Sequence, residues 1–190
     1  MIGNGYELDL KINMSNQYFK QIDLAFPKIS TDDIKGELVV EHLDPMTNTG
    51  IRYWKLKDHL LEQQLIDLFA SKELYNPVIT YAEVDRDIWL HTDINGTVVI
   101  NYYIETPKST TAFYITKDNY HGFKIGKDTI YDPIQCIKQD EFIAESNTTY
   151  VLDVSSIHGV TLHEKGVRKF LSIGFLDWTY HKLIDQKKLS

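Results

Sequence analysis

The stretch VITYAEVDRDIWLHTDINGTVVINYYIE, residues 78–105, decides the fold. Val78 to Val84, Ile88 to His91 and Thr97 to Glu105 are short runs rich in β-branched and aromatic residues. Asp85-Arg86-Asp87 and Asp93-Ile94-Asn95-Gly96 separate them, and turn formers at that spacing predict antiparallel strands. The pattern continues at Thr111 to Ile115, Thr149 to Val154, Ile157 to His163 and Arg168 to Phe175. Many short strands at fairly regular intervals predict a β-sandwich or barrel. Residues 116–135, rich in Lys, Asp, Gly and Asn, read as a long excursion from this β-core, of the kind that is usually functional or mobile.

Upstream the periods change. Ser15 is placed to cap a short helix carrying Tyr18, Phe19, Ile22 and Phe26, stopped by Pro27. Glu37 to Leu43 is β-like and ends at Asp44-Pro45. From Leu56 to Ala70, the residues Leu56, Leu60, Leu61, Leu65, Leu68 and Phe69 share one stripe, which predicts a helix. The chain thus reads as one domain over 1–190: a helical and mixed support layer at 1–77, a β-core at 78–178 and a C-terminal tail at 179–190.

With 27 acidic against 20 basic residues, the formal charge of the 190 residues is -7. That balance argues against nucleic acid as a partner, because phosphate binding relies on clustered Lys and Arg. The single cysteine, Cys136, cannot close an internal disulfide and suggests a reducing compartment. The N-terminus lacks a basic region followed by an apolar run, and the longest apolar stretch, near Val98 to Ile104, is too short to span a bilayer. These features predict a soluble, cytoplasmic protein with no membrane partner.

Two His-x-Asp triplets stand out, His42-Leu43-Asp44 and His91-Thr92-Asp93. In the first, Asp44-Pro45 already accounts for the aspartate as a turn former. The second lies at a strand end, where the two-residue period turns His91 and Asp93 the same way. A two-His-one-carboxylate iron site needs one more ligand from a distant segment and leaves three positions open. His158, at the start of a late strand, is the candidate. His163 is a rival on the opposite strand face, while His121 and Cys136 have no partner at metal spacing. Arg168 follows His158 by ten residues. If residues 158–175 form a hairpin with Glu164-Lys165-Gly166 as its loop, Leu162 faces Arg168, His158 faces Ser172, and Arg168 shares the face of His158. A two-residue Lys165-Gly166 loop would instead pair His163 with Arg168 and turn Arg168 away. An ion pair of Arg168 with Glu164 or Asp177 is the plainer alternative.

The set His91-x-Asp93, His158 and Arg168 resembles the Fe(II)- and 2-oxoglutarate-dependent dioxygenase superfamily, most of all its prolyl-hydroxylase-like branch, over roughly Val78 to Phe175. Tyr81 stands where that branch has a tyrosine about ten residues before the first metal histidine. Asn101-Tyr102-Tyr103-Ile104 resembles the strand that carries its co-substrate-binding tyrosine, at Tyr103. The resemblance implies a mainly β fold with N-terminal helices, a double-stranded β-helix (jelly-roll) sandwich. It implies Fe(II) held by His91, Asp93 and His158, with 2-oxoglutarate as co-substrate and ascorbate a candidate accessory. Arg168 would anchor the far carboxylate, with Tyr103, Tyr81 and Ser172 completing the pocket. The expected activity is hydroxylation of a C–H bond in a peptidyl substrate, prolyl among them, or in a small molecule, with Arg86, Tyr120 and His121 on the loops that shape access. Two departures touch the pocket: the family's Gly-Gly-x-x-x-Phe segment is here Thr110-Thr111-Ala112-Phe113, and its Arg-x-Ser is Arg168-Lys169-Phe170. A cupin-like enzyme using another metal and a non-catalytic jelly-roll binding module remain the competing readings.

Overall fold

The computed structural model describes residues 17–27, 29, 31, 34–44, 49–93, 98–125, 128–186 and 189, without the side chains of 42–44, 49, 125 and 128. Two antiparallel sheets face each other. One has seven strands in the order β1 (Phe19–Ile22), β11 (Thr148–Leu152), β6 (Val99–Glu105), β13 (Arg168–Gly174), β4 (Val78–Val84), β3 (Thr49–Leu56), β2 (Lys35–Asp44). The other has six, in the order β10 (Cys136–Ile143), β7 (Ser109–Thr116), β12 (Ile157–Leu162), β5 (Ile88–Thr92), β9 (Asp128–Ile130), β8 (Phe123–Ile125). From β4 to β7 and again from β10 to β13, successive strands alternate between the sheets, as in a jelly roll.

Strand period separates two cores. On β4, Ala82 and Val84 face the second sheet and pack with Tyr103, Phe113, Phe142, Tyr150, Leu152 and Phe170. Ile79 and Tyr81 point the other way, onto α1 (His59–Ala70) and α2 (Tyr180–Asp185). Helix α1 starts where Asp58 accepts from the amides of Leu60 (2.9 Å) and Leu61 (3.1 Å). Leu56 therefore stays at the end of β3, and the apolar stripe of α1 buries Leu61, Leu65 and Phe69. Each of those side chains contributes about 1.5–3 kcal/mol relative to exposure. Tyr180 and Leu183 of α2, in the region expected to be a tail, close the same outer core.

Three expectations are corrected. Ser15 lies outside the described residues, but the segment it was to cap holds the edge strand β1, paired Phe19 to Leu152. A helix this short has a costly nucleus, and burying aromatic rings decides the matter: Phe19 lies 4.8 Å from Phe142, and Tyr18 stacks on Phe113 at 5.5 Å. Residues 116–135 are closed at their base by Lys117 N–H to Gln135 O (2.8 Å) and fold into the β8–β9 hairpin, which lies against β5. Finally, β12 and β13 do not pair with each other. β12 lies between β5 and β7, β13 lies between β4 and β6, and the 163–167 connection crosses from one sheet to the other.

Candidate metal and anion site

His91 on β5 and His158 on β12 are direct cross-strand partners, so both imidazoles stand on the inner face, with ring centroids 4.3 Å apart. The strands come this close because residue 159 is glycine. A Cβ there would meet Leu90 Cδ2 at 2.8 Å and Ile88 O at 2.9 Å. Asp93 follows two residues after His91, its amide tied to Val154 O (3.0 Å) and its Oδ1 3.2 Å from His91 Nε2. Ligand atoms of His91, Asp93 and His158 all lie within 4.8 Å of one another.

The hydrogen bonds around the histidines set their tautomers. His91 Nδ1 lies 2.8 Å from Trp89 O and His158 Nδ1 2.9 Å from Ser156 O. A carbonyl oxygen only accepts, so each Nδ1 carries a proton and each Nε2 is turned toward the shared centre. Asp153 fixes the turn that supplies Ser156, accepting from Ser155 N–H (3.1 Å) and from the Ser156 hydroxyl (2.8 Å). His158 is buried, and desolvation, reinforced by the neighbouring His91, brings its pKa down to about 4. Two imidazole Nε2 atoms and a carboxylate are the donor set of a site for a divalent transition metal.

The triad opens into a cavity of about 70 Å³, roughly five times the space one water needs. Arg168 reaches it from the opposite sheet. The hairpin argument for its orientation fails, yet strand parity along β13 still turns Arg168, Phe170 and Ser172 inward. Arg168 is 2% exposed. Its Nη2 donates to Thr111 Oγ1 (2.8 Å), and its Cζ sits 4.4 Å above the Tyr103 ring and 5.8 Å from that of Phe170. Nε and Nη1 are buried with no hydrogen-bond partner among the described residues, and so is the Tyr103 hydroxyl. No carboxylate among those residues pairs with Arg168. Glu164 instead accepts from Lys108 N–H (2.8 Å).

Tyr81 does not join this site, because residues 81 and 82 point to opposite faces of β4. Its ring packs 5.8 Å from Trp54 in the outer core and its hydroxyl donates to Glu83 (2.8 Å), burial and that carboxylate together raising its pKa. His163 sits on the far face of the second sheet, with Nε2 2.7 Å from Thr110 Oγ1. Among the access residues, Arg86 pairs with Asp85 (3.0 Å), the Tyr120 hydroxyl accepts from Asp132 N–H within the excursion, and His121 is exposed. The side chains of His42 and Asp44 lie outside the described residues. Sequence reading missed Thr111, Asn101 and Tyr53 as cavity residues. Parity carried the signal for two of them, since Thr111 shares a face with Phe113 and Asn101 with Tyr103.

No protein-family model matches the chain, and no curated protein is a significant match. Among solved structures, that of E. coli ycfD superposes with a TM-score of 0.52 at 14% identity, over 89% of this chain and 52% of that one. This chain thus spans about half the length of that protein, and the likeness is one of fold. HygX from Streptomyces hygroscopicus, solved with nickel and 2-oxoglutarate bound, matches at TM-score 0.40 and 14% identity over 76% of this chain and 75% of its own. Oxalate decarboxylase OxdC of Bacillus subtilis matches at 0.36 and 14% over 68% and 26%. No helix among the described residues is long and apolar enough to cross a membrane.

Proposed function

We propose that the protein is an Fe(II)- and 2-oxoglutarate-dependent dioxygenase of the prolyl-hydroxylase-like kind, hydroxylating a C–H bond of a peptidyl or small-molecule substrate in the cytoplasm. Arg168 carries this reading. A buried guanidinium with two unpaired nitrogens is costly to fold around, and it lines the same cavity as the metal triad. A metal site that binds no anion has no use for it. A dicarboxylate suits both ends, one at the metal and the other at the guanidinium, by charge-assisted hydrogen bonds.

In this reading His91 and His158 supply neutral Nε2 donors and Asp93 the carboxylate. Bound Fe(II) would couple dioxygen to decarboxylation of 2-oxoglutarate, chemistry that no side chain provides. The chain's own work is to orient and to exclude. Arg168 sets the direction of the co-substrate, and Val99, Leu152, Val154, Val160 and Phe170 keep the wall of the cavity apolar. The test is an anaerobic titration of the protein with Fe(II) and 2-oxoglutarate, followed through the visible charge-transfer band. The reading requires a band that needs both additions, and a higher co-substrate concentration in Arg168→Ala. Folded, metal-loaded protein with no band overturns it.

A further inference from the structure

We propose that Thr111 is a positioning residue for the anion site: its hydroxyl fixes the Arg168 guanidinium across the cavity. The inference rests on the dioxygenase reading for its functional consequence, but not for its geometry.

Arg168 belongs to β13 of the seven-stranded sheet and Thr111 to β7 of the six-stranded sheet, so the 2.8 Å hydrogen bond between them spans the space between the sheets. Thr111 is 2% exposed and cross-strand from Val160, which lines the cavity. The adjacent Thr110 points the opposite way and engages His163 at 2.7 Å, which pins β7 on its outer face. Glycine at 111 would leave Nη2 unpaired as well as Nε and Nη1. With threonine there, the guanidinium has one directional hydrogen bond and one ring face, Tyr103 at 4.4 Å, and these two contacts fix its plane. Nε and Nη1 are then the nitrogens left over for an incoming carboxylate. A residue that orients the binding group in advance reduces the ordering cost of binding.

The geometry is tested without any ligand. The chain has three arginines, Arg52, Arg86 and Arg168, so the side-chain nitrogen NMR spectrum is small and Arg168→Lys assigns the Arg168 signals. Wild type should show slow rotation about the Cζ–Nη2 bond of Arg168. Thr111→Val, which keeps the shape and removes the acceptor, should lose it, and Thr111→Ser should restore it. Unchanged Arg168 signals in Thr111→Val overturn the proposal. The consequence is tested by the anaerobic 2-oxoglutarate titration of Fe(II)-loaded protein. Thr111→Val should need about tenfold more co-substrate, Thr111→Ser close to the wild-type amount, and all three should bind Mn(II) alone equally. Equal co-substrate affinity in Thr111→Val overturns the positioning role. A wild type that takes up no 2-oxoglutarate overturns the dioxygenase reading, and the NMR comparison then decides the hydrogen bond by itself.

Discussion

Replacing Arg168 by methionine should leave the stability of the metal-free fold nearly unchanged and destroy co-substrate binding. Removing the guanidinium removes two buried, unpaired nitrogens, Nε and Nη1, each costing about 1–3 kcal/mol. Lost with it are the bond to Thr111, about 1.5–3 kcal/mol for a charged donor, and the face contact with Tyr103, about 1–2 kcal/mol. At mid-range the relieved cost of about 4 kcal/mol and the lost contacts of about 3.75 kcal/mol nearly cancel, in line with buried charges that are close to neutral to replace. For a domain of this size the Tm should therefore stay within about 1–2 °C of wild type. The assay is thermal unfolding with and without ligand. Wild type loaded with Mn(II) should gain about 2.7 kcal/mol from 2-oxoglutarate at a hundred times its Kd, and Arg168→Met should gain nothing. A metal-free Arg168→Met that melts several degrees below wild type would show that the guanidinium is a satisfied structural group, and the anion-site reasoning would fail.

Asp93→Ala should abolish iron-dependent turnover and weaken Mn(II) or Co(II) binding by at least about tenfold in calorimetry while leaving the fold intact, because Asp93 is the most exposed of the three ligands; wild-type affinity in that variant refutes the triad. Metal-free protein should lose stability as pH falls from about 6.5 to about 4. The unfolded chain protonates His158 at 6.5 and the fold only near 4, so stability is full above that window and about 3 kcal/mol is lost across it. Urea titrations of His158→Gln should show a correspondingly flatter profile, and an unchanged slope counts against the assignment. Tyr81→Phe should cost about 1 kcal/mol through the lost bond to Glu83 and leave 2-oxoglutarate affinity unchanged; a weakened co-substrate would return Tyr81 to the site.

Local rules carried much of this protein. The two-residue period of strands sets which side chains share a face, so His91 with Asp93, and Arg168 with Phe170 and Ser172, were legible from spacing alone. So were the strand positions from 78 to 175, apart from β10 and the β8–β9 hairpin, whose polar residues read as loop. Pairing is a different matter, because which strand lies beside which depends on contacts far apart in the chain. β12 and β13 are joined by a short connection that fits a hairpin, but each is already flanked on both sides within its own sheet. Arg168 therefore meets His158 across the cavity and not along it. The same long-range arrangement decided which face of β4 is inner, sending Tyr81 to the helices and Ala82 to the core between the sheets. It also brought Thr111 of one sheet to Arg168 of the other, a contact between residues 57 positions apart that neither segment specifies by itself. Sequence alone determined the faces of the strands and the kinds of side chain they carry; tertiary structure decided which faces meet, because sheet partners are chosen by packing between distant segments.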